Sequence, residues 1–233
     1  MRPWYARLGA EASLATLNAL AEEAGLRTES GRAVRFVPRA AADPYYEIKV
    51  FETGCVQTRA GNLHDLFNAL AWLAFPRAKA RINAMHAAQI PLEPGRRGRL
   101  RDLLTIFDEG GAVVCAPAEL GELVRGFHWK ELFWARRAQV AASMTISVLG
   151  HAVLEQSLKP WPGITCKVIF AAPGESPDGA AEAWLASLSA ESTPRDMAPL
   201  PIFGYPGWLA DSGLADFYDD TRYFRPFRRD LPK

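Results

Sequence analysis

Each of the four histidines in the 233-residue chain sits in a short motif: NLHD at 62–65, INAMHAA at 82–88, HWKE at 128–131 and GHAVLE at 150–155. Imidazole exchanges protons near neutral pH and, when neutral, binds metal ions. In NLHD a carboxylate follows the histidine, where it can hold the imidazole tautomer or itself ligate a metal. Asn68 lies four residues on, hence on the same helical face as His64. In GHAVLE, His151 and Glu155 stand at i and i+4, so both can face one point, as a metal pair or an acid–base pair does. The second histidine of an HExxH zinc-protease helix is missing, which sets that class aside. These spacings point to a catalytic set of His64, Asp65, His151 and Glu155 converging on one pocket, with His64, Asp65 and His151 as ligands of a divalent metal ion. The plainer alternatives are a helix-start network of Asn62, His64 and Asp65, and a hydrogen-bonded helix pair of His151 and Glu155.

The remaining polar motifs carry weaker signals. His128 and Glu131 are spaced similarly, but Trp129 and Trp134 beside them favour packing. His86 falls in the last turn of an expected helix, where a protonated imidazole suits the negative helix end. Asp108-Glu109, next to Gly110-Gly111, reads as a turn former that also offers carboxylates, and so does Asp219-Asp220. Arg59, Arg77, Lys130 and Asn68 are the candidates to bind an anionic substrate, such as a phosphate ester or a nucleotide. GRRGRLR at 95–101 and FRPFRR at 224–229 have the basic and aromatic interleaving of a nucleic-acid contact. No Walker loop and no G-x-G-x-x-G after a strand is present, which disfavours ATP and dinucleotide chemistry.

Composition narrows the partners. With 27 Lys and Arg against 26 Asp and Glu the formal charge is +1, which argues against a chain whose main task is coating nucleic acid or an anionic membrane. The apolar share of 49% and charged share of 23% are those of a globular chain that buries its own core. Cys55, Cys115 and Cys166 are odd in number and far apart, fitting neither a disulfide framework nor a close-spaced zinc motif. A reducing, cytoplasmic location is the expectation, since the N-terminus lacks a signal-peptide core and no apolar run nears the roughly 20 residues of a membrane span.

The elements that must position these residues follow from periodicity. A helix is expected over about 10 to 25, a strand at 33–37, and a hairpin through YYEIKVFETGCVQTR at 45–59. Asn62 caps a helix that Pro76 stops or bends, and a second helix follows over about 77 to 88. LLTIFDEGGAVVCA at 103–116 reads as a second hairpin, PAELGELVRGF as a short helix and HWKELFWARRAQVAASM as a longer one. Strand, helix, loop and strand follow from 145, with Gly150 as the switch, and another helix over 178–190. The aromatic, Pro- and Gly-rich tail should wrap irregularly over the body.

Taken together, TRAGNLHDLFNALAWLAFPRAKARINAMHAAQ, LTIFDEGG, HWKELFW, GHAVLEQ, PLPIFGYPGW and FYDDTRYFRP resemble the bacterial domain-of-unknown-function family numbered 3025, over about residues 45 to 227. The resemblance implies no activity, cofactor or catalytic residue. Leu63 stands where that family's motif has tryptophan, a change that touches packing more than chemistry. Gly110-Gly111 replaces the family's Asn or Asp and Gly, which removes a side chain from that position.

The expected fold is α+β: one domain over 1–233, of several helices packed on short antiparallel strand pairs, with a weak boundary in the basic loop 93–101. The expected function is a metal-assisted or general acid–base hydrolase acting on an anionic, phosphate-containing substrate. The alternative is a non-catalytic nucleic-acid- or protein-binding module built on the arginine-rich loop and aromatic tail.

Overall fold

Helix caps and apolar stripes account for most of the chain. The computed structural model describes residues 2–8, 12–39, 46–93, 95–161 and 163–227. Positions 10 and 11 of the expected first helix, Tyr45 of the first hairpin, Pro94 of the basic loop, and Arg228 and Arg229 of FRPFRR lie outside the described residues. After α1 (Arg2–Arg7), the Ser13 hydroxyl accepts from the Thr16 amide and starts α2 (Leu14–Glu23), which buries Leu17, Leu20 and Ala21. β1 (Arg35–Val37) follows.

The first expected hairpin is instead α3 (Tyr46–Thr53) followed by β2 (Cys55–Gln57). The aromatic and β-branched run favours a strand locally, but α3 buries Val50 and packs on the helix of residues 76–89, so tertiary burial overrides propensity. β2 pairs parallel with β1, Phe36 opposite Val56. Gly54, at φ +74°, makes the connection; a Cβ there would meet the Ala33 carbonyl oxygen at 2.1 Å.

Asn62 caps α4 (Leu63–Ala74) by accepting from the Asp65 amide at 3.0 Å. α5 (Pro76–Gln89) begins with Pro76 at its first position, where the missing amide costs nothing. Asp178 caps α5 from outside, accepting from the amides of Arg77 and Ala78.

The second expected hairpin is also corrected. Leu100, Leu103, Leu104 and Phe107 are buried on one side of α6 (Arg99–Gly110), at the spacing of a helical stripe, and only β3 (Gly111–Cys115) is strand. The Asp108-Glu109 pair therefore sits in the last turn of a helix.

The remaining elements are α7 (Ala118–Arg125), a π-helical turn (Glu131–Ala135), α8 (Arg137–Ser143), β4 (Thr145–Val148), α9 (His151–Gln156), β5 (Thr165–Ala171), α10 (Pro177–Ser187) and β6 (Ala198–Pro201). Four strands form one sheet in the order β4-β3-β5-β6, with β3 parallel to β5 and both outer pairs antiparallel. Strand pairs are thus both parallel and antiparallel, within an α+β single domain. On one side of the sheet α5, α6 and α10 enclose Leu104, Phe107, Val113 and Leu185. On the other, α7, the π turn and the C-terminal segment enclose Val114, Phe133, Leu200 and Phe224. The tail does wrap over the body, through β6 and 3-10 turns that bury Tyr218 and Tyr223. Among the described residues no helix is long and apolar enough to cross a membrane.

Candidate active site

The sheet brings the site together. β3 continues directly from α6 and β4 leads directly into α9, so their antiparallel pairing sets the C-terminal end of α6 beside the N-terminal end of α9. Gly150 makes this approach close, because a Cβ there would meet the Glu109 carbonyl oxygen and the Gly110 Cα at 2.7 Å. Asp108 on α6 and His151 on α9 consequently face each other, and α4 packs along α9 to add His64.

His64 Nε2 and His151 Nε2 are 3.1 Å apart, with the rings edge to face at 74°. Each imidazole has a carboxylate behind it. Glu155 Oε2 lies 3.0 Å from His64 Nδ1, a hydrogen bond, and Asp108 Oδ2 lies 3.8 Å from His151 Nδ1, an ion-pair distance only. Behind Asp108 stands Lys79, whose ammonium donates to Asp108 Oδ1 at 2.5 Å and to Asn68 Oδ1 at 2.8 Å. The chain of contacts therefore runs Glu155, His64, His151, Asp108, Lys79, Asn68, from the half-exposed Glu155 to a lysine only 5% exposed.

Electrostatics differ along this chain. Burial drives the His151 pKa down to about 4; Asp108 pulls it up, and Lys79 and His64 push it further down. His151 is therefore a neutral imidazole at neutral pH. Burial pushes the Asp108 carboxyl up, but Lys79 and His151 outweigh this and hold it below the ordinary carboxylate value. Burial also takes His86 to about 4, so it is not the protonated helix cap expected from its place in the last turn.

All of these groups but Glu155, which backs His64 from outside, line one cavity of about 370 Å³, to which α3 adds Tyr46 and Glu47, α5 adds Asn83 and His86, and Arg39, Arg59, Arg97 and Arg101 contribute cationic side chains. Of the expected set, His64, His151 and Glu155 come together, and Asn68 and Arg59 share the cavity that the two histidines line. Asp65 lines the cavity too, but its carboxylate accepts from the Arg59 amide, Nε and Nη2 at 2.7–2.8 Å. It neither orients His64, a place Glu155 takes, nor joins the two imidazoles as a third ligand. Partial burial raises the Asp65 pKa, yet the Arg59 hydrogen bonds prevail and lower it. Arg77 pairs with Glu182 on α10, and Lys130 with Asp219 at 2.6 Å, so neither lines the cavity. Among the described residues no three His, Cys, Asp or Glu side chains are grouped to hold a metal ion.

Sequence reasoning gave Lys79 no place beside the histidines, and Asn83 and His86 no joint role. Their signal was present: they stand at i, i+4 and i+7 of α5, a buried polar stripe beside Ala78, Ala80 and Ile82. The arginine loop and the aromatic tail do not share one surface. Arg97 and Arg101 line this cavity, whereas Arg222, Arg225 and Phe227 line a separate groove with Arg125 and Lys167.

A polar cavity with two opposed imidazoles and a buried lysine–aspartate pair is the part of this molecule that packing does not explain. No curated protein and no solved structure matches the chain. Residues 34–228, nearly all of the described fold and every residue of the imidazole pair, match the family described as Protein of unknown function (DUF3025), and the chain belongs to that family.

Proposed function

We propose that the protein is a hydrolase that uses general acid–base catalysis on a small anionic substrate held in this cavity. The observation that carries the reading is the pair of Nε2 atoms 3.1 Å apart with a carboxylate on the far side of each ring. Glu155 accepts from His64 Nδ1–H, which leaves His64 Nε2 as the basic atom. In the reaction His64 Nε2 takes the proton of the attacking water, whose oxygen bonds to the substrate's phosphorus or carbonyl carbon. Glu155 stabilises the imidazolium, and His64 returns the proton to the leaving oxygen as its bond breaks. Neutral His151 donates its Nε2–H as a hydrogen bond to the substrate oxygen on which negative charge develops. Arg39 supplies charge for the anion, beside Arg59, Arg97 and Arg101, whose guanidinium groups are shared with Asp65, Asp102 and Glu93. A metal-assisted form would use the same two Nε2 atoms, but two imidazoles fall short of the three protein ligands of an ordinary catalytic zinc site, so the metal-free form is the better supported of the two.

The test is a chromogenic screen with p-nitrophenyl phosphate, bis(p-nitrophenyl) phosphate and p-nitrophenyl acetate, with and without EDTA. The expected result is turnover that falls about 100-fold or more in His64→Ala, and less in Glu155→Gln. Loss of the wild-type rate in EDTA assigns the metal-assisted form. Turnover of none of the esters, or turnover unchanged in His64→Ala, ends the proposal.

A further inference from the structure

The cavity has a second wall, opposite in character to the imidazole pair. Asn83, 2% exposed, donates Nδ2–H to Glu47 Oε2 at 2.7 Å and to the Glu47 carbonyl at 2.9 Å. Its Oδ1 has no partner, and neither does Nδ1 of His86, 6% exposed, nor Nε of Arg101. Leaving such a buried atom unpaired destabilises the fold, so a fold keeps several in one cavity when something else pairs with them. The inner part of the wall is polar. Burial raises the Glu47 carboxyl above its ordinary value, the His86 imidazole is neutral, and Tyr46 is a phenol. Carboxyl, carboxamide, imidazole and phenol groups, donors and acceptors mixed, are what hydroxyl groups need, because each hydroxyl both donates and accepts. Among the described residues, the rings other than imidazoles that line the cavity are Tyr46 and the 3%-exposed Trp72, and the latter offers no open face for stacking a nucleobase. A volume of about 370 Å³ is at the small end of ligand sites, which run to roughly 1,000 Å³.

We infer that the ligand of this cavity is a small phosphorylated polyol, its hydroxyls on the Glu47, Asn83 and His86 wall and its phosphate on the arginines that line the same cavity. This names the substrate class of the proposed hydrolase and rests on that reading for the place of the scissile bond. The binding itself does not depend on turnover.

Isothermal titration of the full chain with inorganic phosphate, ribose 5-phosphate and adenosine 5′-monophosphate tests it. Ribose 5-phosphate should bind about tenfold or more tighter than inorganic phosphate, the value of one or two added hydrogen bonds. His64→Ala should keep that preference, and Asn83→Leu should abolish it while leaving the affinity for inorganic phosphate unchanged. Glu47→Gln, of the same shape, should reduce the preference by a smaller factor, and serves if Asn83→Leu does not fold by circular dichroism. Equal affinity for the two phosphates, binding of neither, or a preference that survives in both wall variants overturns the assignment. So does a further tenfold gain for the nucleotide, which would place a base on this wall. Polyol selectivity without any esterase or phosphatase turnover would remove the hydrolase alone. Turnover without selectivity would remove the polyol alone.

Discussion

Two regions of the molecule bury polar side chains, and they treat them in opposite ways. In the C-terminal segment each buried hydroxyl or indole is met by backbone. Tyr218 Oη donates to the carbonyls of Gly204 and Ser212, Tyr223 Oη joins the Ile164 carbonyl to the Phe203 amide, and Trp129 Nε1 donates to the Arg225 carbonyl. Among the described residues, none of the unpaired buried side-chain atoms lies in that segment. Around the cavity, by contrast, His151 Nδ1, His86 Nδ1, Asn83 Oδ1 and Arg101 Nε are all unpaired. A region built only to hold the chain together satisfies its own hydrogen bonds. The contrast therefore separates a structural interior from one whose polar atoms are left open, as the proposed ligand site requires.

The largest expected effect breaks the comparison at its strongest contact. Lys79→Met leaves the Asp108 carboxylate, 20% exposed, without its ammonium and should lower the unfolding free energy by about 3–5 kcal/mol in denaturant titration. The double variant Lys79→Met, Asp108→Leu should regain most of that loss, because an apolar pair avoids desolvating two charges. Recovery means that folding does not require the pair. A double variant as unstable as the single one would make the pair as structural as the tail's hydrogen bonds, and the contrast would fail.

Tyr223→Phe probes the other side. It deprives the Ile164 carbonyl and the Phe203 amide of one shared hydroxyl in a dry setting, and the expected loss is about 1–3 kcal/mol. His86→Leu, with no hydrogen bond at Nδ1 to lose, should cost less than that in the same titration. If it costs as much, the cavity wall is holding the fold together and the two regions are alike.

The parts of this contrast that were legible in sequence are the local ones. The i, i+4 spacing of His151 and Glu155 puts both on one side of α9, and both do reach His64. The Asn62 cap, Pro76 and the wrapping tail were equally readable, since each is decided within a few residues. Two hairpins were misread for two reasons. In Tyr46–Thr53 the local preference for strand is real and burial against α5 overrules it. In Leu100–Phe107 the helical stripe begins inside a basic stretch whose Gly and Arg content suggests loop. The partner of His64 was assigned to its neighbour Asp65, but Arg59, six residues upstream, claims that carboxylate and Glu155, 91 residues away, supplies the other. No periodicity carries a contact of that range; it depends on β3 and β4 pairing and on the Gly150 approach.

The smallest expected effect is a pH dependence, and it tests whether the cavity wall is as dry as its unpaired atoms imply. The His86 pKa is lowered from 6.5 to about 4 by burial. A histidine depressed in this way binds fewer protons folded than unfolded, so its contribution is full above about pH 6.5 and is lost as the pH falls toward about 4. His151 acts in the same direction over the same window. Glu47 opposes them: its raised carboxyl keeps a proton that the unfolded chain releases near 4.5, so stability is lost as pH rises through the folded value. The curve of the wild type mixes these, and its difference from His86→Gln isolates the histidine. Unfolding midpoints of the two should run parallel above neutrality and converge or cross as the pH falls through that window, with the wild type falling faster. A difference independent of pH would mean that His86 takes up a proton as readily folded as unfolded. Water would then already reach the wall, its open hydrogen bonds would be met by solvent, and the polyol would lose the dry, unsatisfied surface on which its recognition depends.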